Sequence, residues 1–82
     1  MTRVYYGVAV EHYPGCYRVK LASPKYFLQI KRRGREWLSE IRESETGTLV
    51  CYRGIWPTLR DAIDEERRLL PIEVGGGGQD YL

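Results

Sequence analysis

No apolar run in the chain approaches the roughly 20 residues that a membrane span needs. The first residues, Met-Thr-Arg-Val-Tyr-Tyr, carry neither the apolar core nor the small-residue cleavage site of a secretion signal. Both absences point to a cytoplasmic protein with no membrane partner. Cys16 and Cys51 are the only cysteines and His12 the only histidine. Structural zinc takes four ligands at tight spacing, so these three scattered residues make a poor zinc set. Without a secretion signal a disulfide is not expected either. The run Gly75 to Gly78 lacks the following Lys-Ser/Thr and helix of a phosphate loop, so no cofactor is expected. Candidate catalytic groups are also few. His12 sits in a turn beside Glu11, and no serine or cysteine is placed as a nucleophile. Glu36, Glu40, Glu43 and Glu45 lie in one strand and its turn, where carboxylates are usually solvated, and no second element supplies a partner. The expectation is a protein without enzymatic activity.

What remains fits one small domain. The 82 residues are 43% hydrophobic and 29% charged, an ordinary globular balance. The net charge of +2 is unevenly spread: residues 1–53 hold ten Lys/Arg against five Asp/Glu, and residues 54–82 hold three against six. A basic front half steers anionic partners toward it.

The pattern along the chain is strand, turn, strand, then one helix. Val4, Tyr6, Val8 and Val10 alternate through a strand over 3–11, and His12-Tyr13-Pro14-Gly15 turns the chain. Cys16 to Leu21 returns, with Tyr17, Val19 and Leu21 inward. Pro24 breaks the ladder. Further strands are expected over 26–33, 35–43 and 48–53, parted by turns at Gly34 and Gly47. The segment Trp37-Leu38-Ser39-Glu40-Ile41-Arg42 sets the phase. Trp37, Ser39 and Ile41 suit burial, while Leu38, Glu40 and Arg42 face the other way. Thr58 is an N-cap, with Asp61 three residues on. Leu59, Ala62, Ile63, Leu69 and Leu70 form a stripe broken by Glu66, and Pro71 stops the helix. The expected fold is α+β: an antiparallel sheet of about five strands packed on one C-terminal α-helix over 58–70. The domain spans 1–74, and 75–82 is a flexible glycine-rich tail. The core should hold Val8, Val19, Leu28, Ile30, Trp37, Ile41, Leu49, Trp56, Leu59, Ile63 and Leu70.

One face of such a sheet stays free of the helix, and its contents decide function. Lys31, Arg32, Arg33 and Arg35 cluster around the turn at Gly34, and Arg42 and Tyr52 project from neighbouring strands. A basic sheet can enter the DNA major groove, with arginines reading bases and flanking cations holding phosphates. Seven tyrosines, mostly on strands, support a different reading, in which a tyrosine-rich sheet surface docks a larger protein, for example as an inhibitor. Continuous Arg/Lys on the free face favours nucleic acid, and an apolar tyrosine patch favours protein.

The residues Trp37-x-x-Glu40-Ile41-Arg42, Gly47, Gly54-x-Trp56-x-Thr58 and Asp61-Ala62 resemble the AP2 family of DNA-binding domains, including the AP2-like arm domains of phage and transposon integrases. The resemblance runs from Phe27 to about Leu70. It implies three antiparallel strands with one helix across them, and a free sheet face lying in the major groove. It also implies that Arg42, with Arg32 or Arg33, contacts bases, and that Tyr52 stands where plant members have a DNA-contacting tryptophan. The protein would then be a small DNA-binding accessory or regulatory protein of phage or mobile-element type. Phe27, Ile30 and Val50 stand where those members carry further arginines. The hairpin over 3–21 is an addition to the pattern, with the capacity to cover the free face.

Overall fold

The computed structural model describes residues 2–72. The elements are β1 (Thr2–Tyr5), β2 (Val8–Tyr13), β3 (Cys16–Lys20), β4 (Tyr26–Arg33), β5 (Glu36–Glu43), β6 (Leu49–Trp56) and α1 (Leu59–Leu69). Each strand pairs antiparallel with its neighbour in sequence, so the sheet order runs from β1 to β6 without a crossover. The α+β class with one helix agrees with the sequence pattern, but the described residues form six strands rather than about five. The expected tail over 75–82 and the domain limit at residue 74 lie outside the described residues.

The extra strand arises inside the stretch 3–11, whose alternation reads as one strand. Tyr6 and Gly7 both adopt positive φ, 53° and 80°. That is the two-residue hairpin turn whose twist suits its flanking strands, and glycine takes its second position without strain. Tyr5 then pairs with Val8, and Val4 with Ala9. The turn reverses the phase, so Val4 leaves the face of Val8 and Val10 for the opposite one. The Arg67 guanidinium donates to the Tyr6 carbonyl and ties the helix to this turn. The N-terminal strands thus extend the sheet in its own layer and do not fold over its free face.

Val8, Val10, Val19, Leu28, Ile30 and Ile41 form the face beneath α1, where Ala62 and Ile63 complete the core. Trp37, Trp56, Leu59 and Leu70 pack around its margin, partly buried. Leu49 departs from expectation. Two register shifts between β5 and β6 add residues to β6, so Leu49 pairs with Arg42 and joins the opposite face. Leu69 is 65% exposed although it follows Ala62 by two turns, because it is the last residue of α1.

Local chemistry fixes the helix. The Asp61 amide donates to Thr58 Oγ1 at 3.0 Å, which caps the first turn. Trp56 leads into it, its Nε1 donating to Ser39 Oγ at 2.9 Å. The ring lies so close to Gly54 that an added Cβ would meet it at 3.2 Å and press it from its place. Beyond Pro71 the chain returns to the sheet, with the Ala22 amide donating to the Pro71 carbonyl.

Candidate functional site

The sheet face away from α1, here the outer face, follows from the strand register. Tyr13, Cys16, Lys31, Leu38 and Ile55 form one row across it. Glu11, Arg18, Gln29, Glu40 and Tyr52 form the next. Lys20, Phe27, Arg42 and Leu49 form a third. The centre of this face is not bare: Gln29, Leu38 and Glu40 are all buried.

Glu40 is the hub. Its side chain is fully buried, and Oε1 accepts from Gln29 Nε2 at 2.8 Å and from Arg42 Nε at 2.9 Å. Lys31 Nζ stands 3.5 Å from the same oxygen, while Oε2 is buried without a partner. A buried carboxylate requires such donors, since desolvation penalises an isolated charge by several kcal/mol. Alternation places Glu40 on the outer face as expected, but its carboxylate is not solvated there, and β4 supplies the partner, Gln29, that the sequence did not name. Arg42 also donates through Nη1 to the Gly47 carbonyl at 2.7 Å, so it braces the β5–β6 loop.

The six residues singled out from sequence therefore separate into groups. Lys31 and Arg42 flank Glu40 on the outer face. Arg33 and Tyr52 share that face, with Tyr52 66% exposed. Arg32 pairs with Trp37 and so belongs to the helix side, its Nε donating to the Gly34 carbonyl at 3.1 Å. Arg35 is exposed in the turn.

Arg18 was not singled out, and the structure adds it. Its guanidinium carbon lies 4.8 Å from the Tyr13 ring centre and 5.0 Å from that of Phe27. The signal was present as an arginine phased with the outer face, but ring contacts with residues five before and nine after it leave no local pattern. Tyr13 also donates to Glu11 Oε2 at 2.8 Å, and this bond holds its hydroxyl above the usual tyrosine range.

The charges divide sharply by partner. Arg53, Arg60, Arg67 and Arg68 each meet a carboxylate on α1. Among the described residues, Arg18, Lys20, Lys25, Arg32, Arg33 and Arg35 meet none within 4.0 Å. The unpaired cations lie on β3, β4 and their adjoining turns.

The tyrosines are scattered. Tyr5 and Tyr17 pack edge-on at 5.7 Å beside the core on the helix side, where His12 stacks on Tyr17 at 4.6 Å. Alternation thereby puts His12 and Cys16 on opposite faces. Tyr13 and Tyr52 are on the outer face, but three strands lie between their own. Among the described residues no group of three His, Cys, Asp or Glu side chains is placed to hold a metal, and no helix is long and apolar enough to cross a membrane. Comparison with protein-family models, with curated proteins and with solved structures finds no match.

Proposed function

We propose that this protein binds nucleic acid, with duplex DNA as the principal ligand, through the outer face of the sheet and the adjoining β4–β5 turn. The observation that carries this reading is the division of charge. Arg53, Arg60, Arg67 and Arg68 are neutralised by carboxylates of α1, whereas Arg18 and Lys20 on β3, Arg33 on β4 and Arg35 in the Gly34 turn are left for an external anion. A polyanion gains most from such a surface, because each phosphate neutralised releases condensed counterions. The AP2-like sequence pattern supports the same face and adds the expectation of an accessory or regulatory role. The burial of Glu40 changes the division of labour: Arg42 and Lys31 serve first as its counterions, and Arg33 and Arg35 are the freer contacts.

The competing reading, docking of a larger protein, draws on exposed Val50, Tyr52 and Ile55 along the edge strand β6. Among the described residues it has no continuous tyrosine patch.

The test is a titration of labelled duplex and single-stranded DNA at two salt concentrations with wild type and the Arg33→Gln/Arg35→Gln pair. Both side chains are exposed and unpaired, so the variant should keep its fold. The log–log salt slope on duplex should fall by about 0.9 for each phosphate that is no longer neutralised. Absence of wild-type binding near 50 mM salt at tens of micromolar protein, where nonspecific binders are normally detected, would remove the reading and leave protein docking in the lead.

A further inference from the structure

We propose that Arg18, stacked between Tyr13 and Phe27 with Lys20 on the same strand face, is a preorganised phosphate-binding fork that carries the nucleic-acid interface across β3. The inference rests on the reading given above and extends it to strands outside the AP2-like segment.

Three features build the site. Arg18 has no carboxylate partner among the described residues. Glu11 is directly opposite it in the register, yet its Oε2 is taken by the Tyr13 hydroxyl. Two rings lie within 5.0 Å of the guanidinium carbon and hold the group in place, and the donors not turned to the neighbouring Cys16 thiol remain for an acceptor. A groove lined by Arg18, Lys20, Phe27, Pro24 and Ser44, with Glu11 also on its wall, leads to the group. A flat guanidinium already held in place loses less freedom when it meets paired oxygens, and phosphate presents such oxygens in matching geometry.

The position also fits a track. Arg33, Lys31 and Arg18, the last opposite Gln29, follow at two-residue steps along the β4 direction, and Lys20 is a further step on. Two residues of strand advance about 6.7 Å. The outer face thus offers cations in a line, beginning at the Gly34 turn and ending at the β3–β4 connection. A backbone of repeating phosphates is the ligand chemistry that such a line complements.

The experiment compares wild type, Arg18→Gln, Arg18→Lys and Phe27→Leu by salt-dependent titration of duplex DNA of several sequences, with thermal melts to confirm folding. Arg18→Gln should weaken binding roughly tenfold at low salt, as for one charge-assisted bond, and lower the slope by about 0.9. Arg18→Lys should recover the slope but only part of the affinity. Phe27→Leu should weaken wild type yet add nothing to Arg18→Gln, because its ring acts through Arg18. Wild-type affinity and slope in Arg18→Gln would overturn the fork while the Arg33→Gln/Arg35→Gln result still upheld the interface. A loss confined to particular base sequences would overturn the phosphate assignment in favour of base reading. If wild type itself fails to bind, the interface falls and the fork with it.

Discussion

Among the described residues each face of the sheet buries one glutamate, and the two are satisfied in different ways. On the helix side, Glu66 is 1% exposed, and one guanidinium takes both its oxygens: Arg53 Nη2 at 3.0 Å and Nε at 3.3 Å. This hydrogen bond holds Arg53 above the usual arginine range. On the outer face Glu40 gathers three donors on a single oxygen and leaves the other bare. A pair with one partner loses everything when that partner goes, whereas a cluster fails in steps. The two arrangements also differ in what they leave at the surface. Arg53 points its fork inward at Glu66, while Lys31 and Arg42 keep unused donors beside the proposed binding surface.

Arg53→Ala tests the single-partner case and should have the largest effect. It strips Glu66 of its counterion in a buried position, at a cost of about 3–5 kcal/mol in urea unfolding. The double change Arg53→Met/Glu66→Leu should restore most of that stability, since it removes both charges and completes the apolar stripe of α1. A cost below about 1 kcal/mol for Arg53→Ala would mean that Glu66 is relieved by water or a proton, and the contrast between the faces would weaken.

Arg42→Ala should cost less, roughly 1–3 kcal/mol, because Gln29 and Lys31 remain on Glu40. A loss equal to that of Arg53→Ala would make Arg42 the only effective counterion and erase the distinction. Either way, loss of DNA binding in Arg42→Ala must be judged against the melting of the variant.

The smallest expected effect concerns how dry the outer face is. Burial pushes the Cys16 thiol up, and Cys16 is in the row next to Glu40. A raised value in the folded state favours the protonated thiol. Its contribution to stability is complete below the usual thiol range and is lost as pH rises through the raised value. Burial raises Tyr17 as well, so its contribution is lost in the same direction at higher pH. Cys16→Ala should therefore show a shallower alkaline fall in unfolding free energy than wild type. Equal slopes would indicate that water reaches the thiol.

Much of the fold was legible because its signals are local. The Thr58 cap, the Pro14-Gly15 turn and the alternation through Trp37, Ser39 and Ile41 each depend on residues a few positions apart. The Tyr6–Gly7 turn was hidden because the alternation of apolar residues continues through it, so a reversal of phase left no gap in the pattern. The candidate site was legible in part. Strand phase put Lys31, Arg33, Arg42 and Tyr52 on one face, while the one-residue step to Arg32 sends that side chain to the other.

The order of elements from β3 to α1, the face that meets the helix and the excess of cations in the first 53 residues were already written in the chain. They follow from alternation, turn chemistry and composition. Which charges are spent inside the protein is a property of the packed sheet alone. Glu40 meets Gln29 eleven residues away, Arg53 meets Glu66 thirteen away, and Arg18 reaches rings on two neighbouring strands. Such pairings depend on which strands lie side by side and on how deeply a carboxylate is withdrawn from water. A count of charges along the chain contains neither, because distance and desolvation arise only when the strands come together.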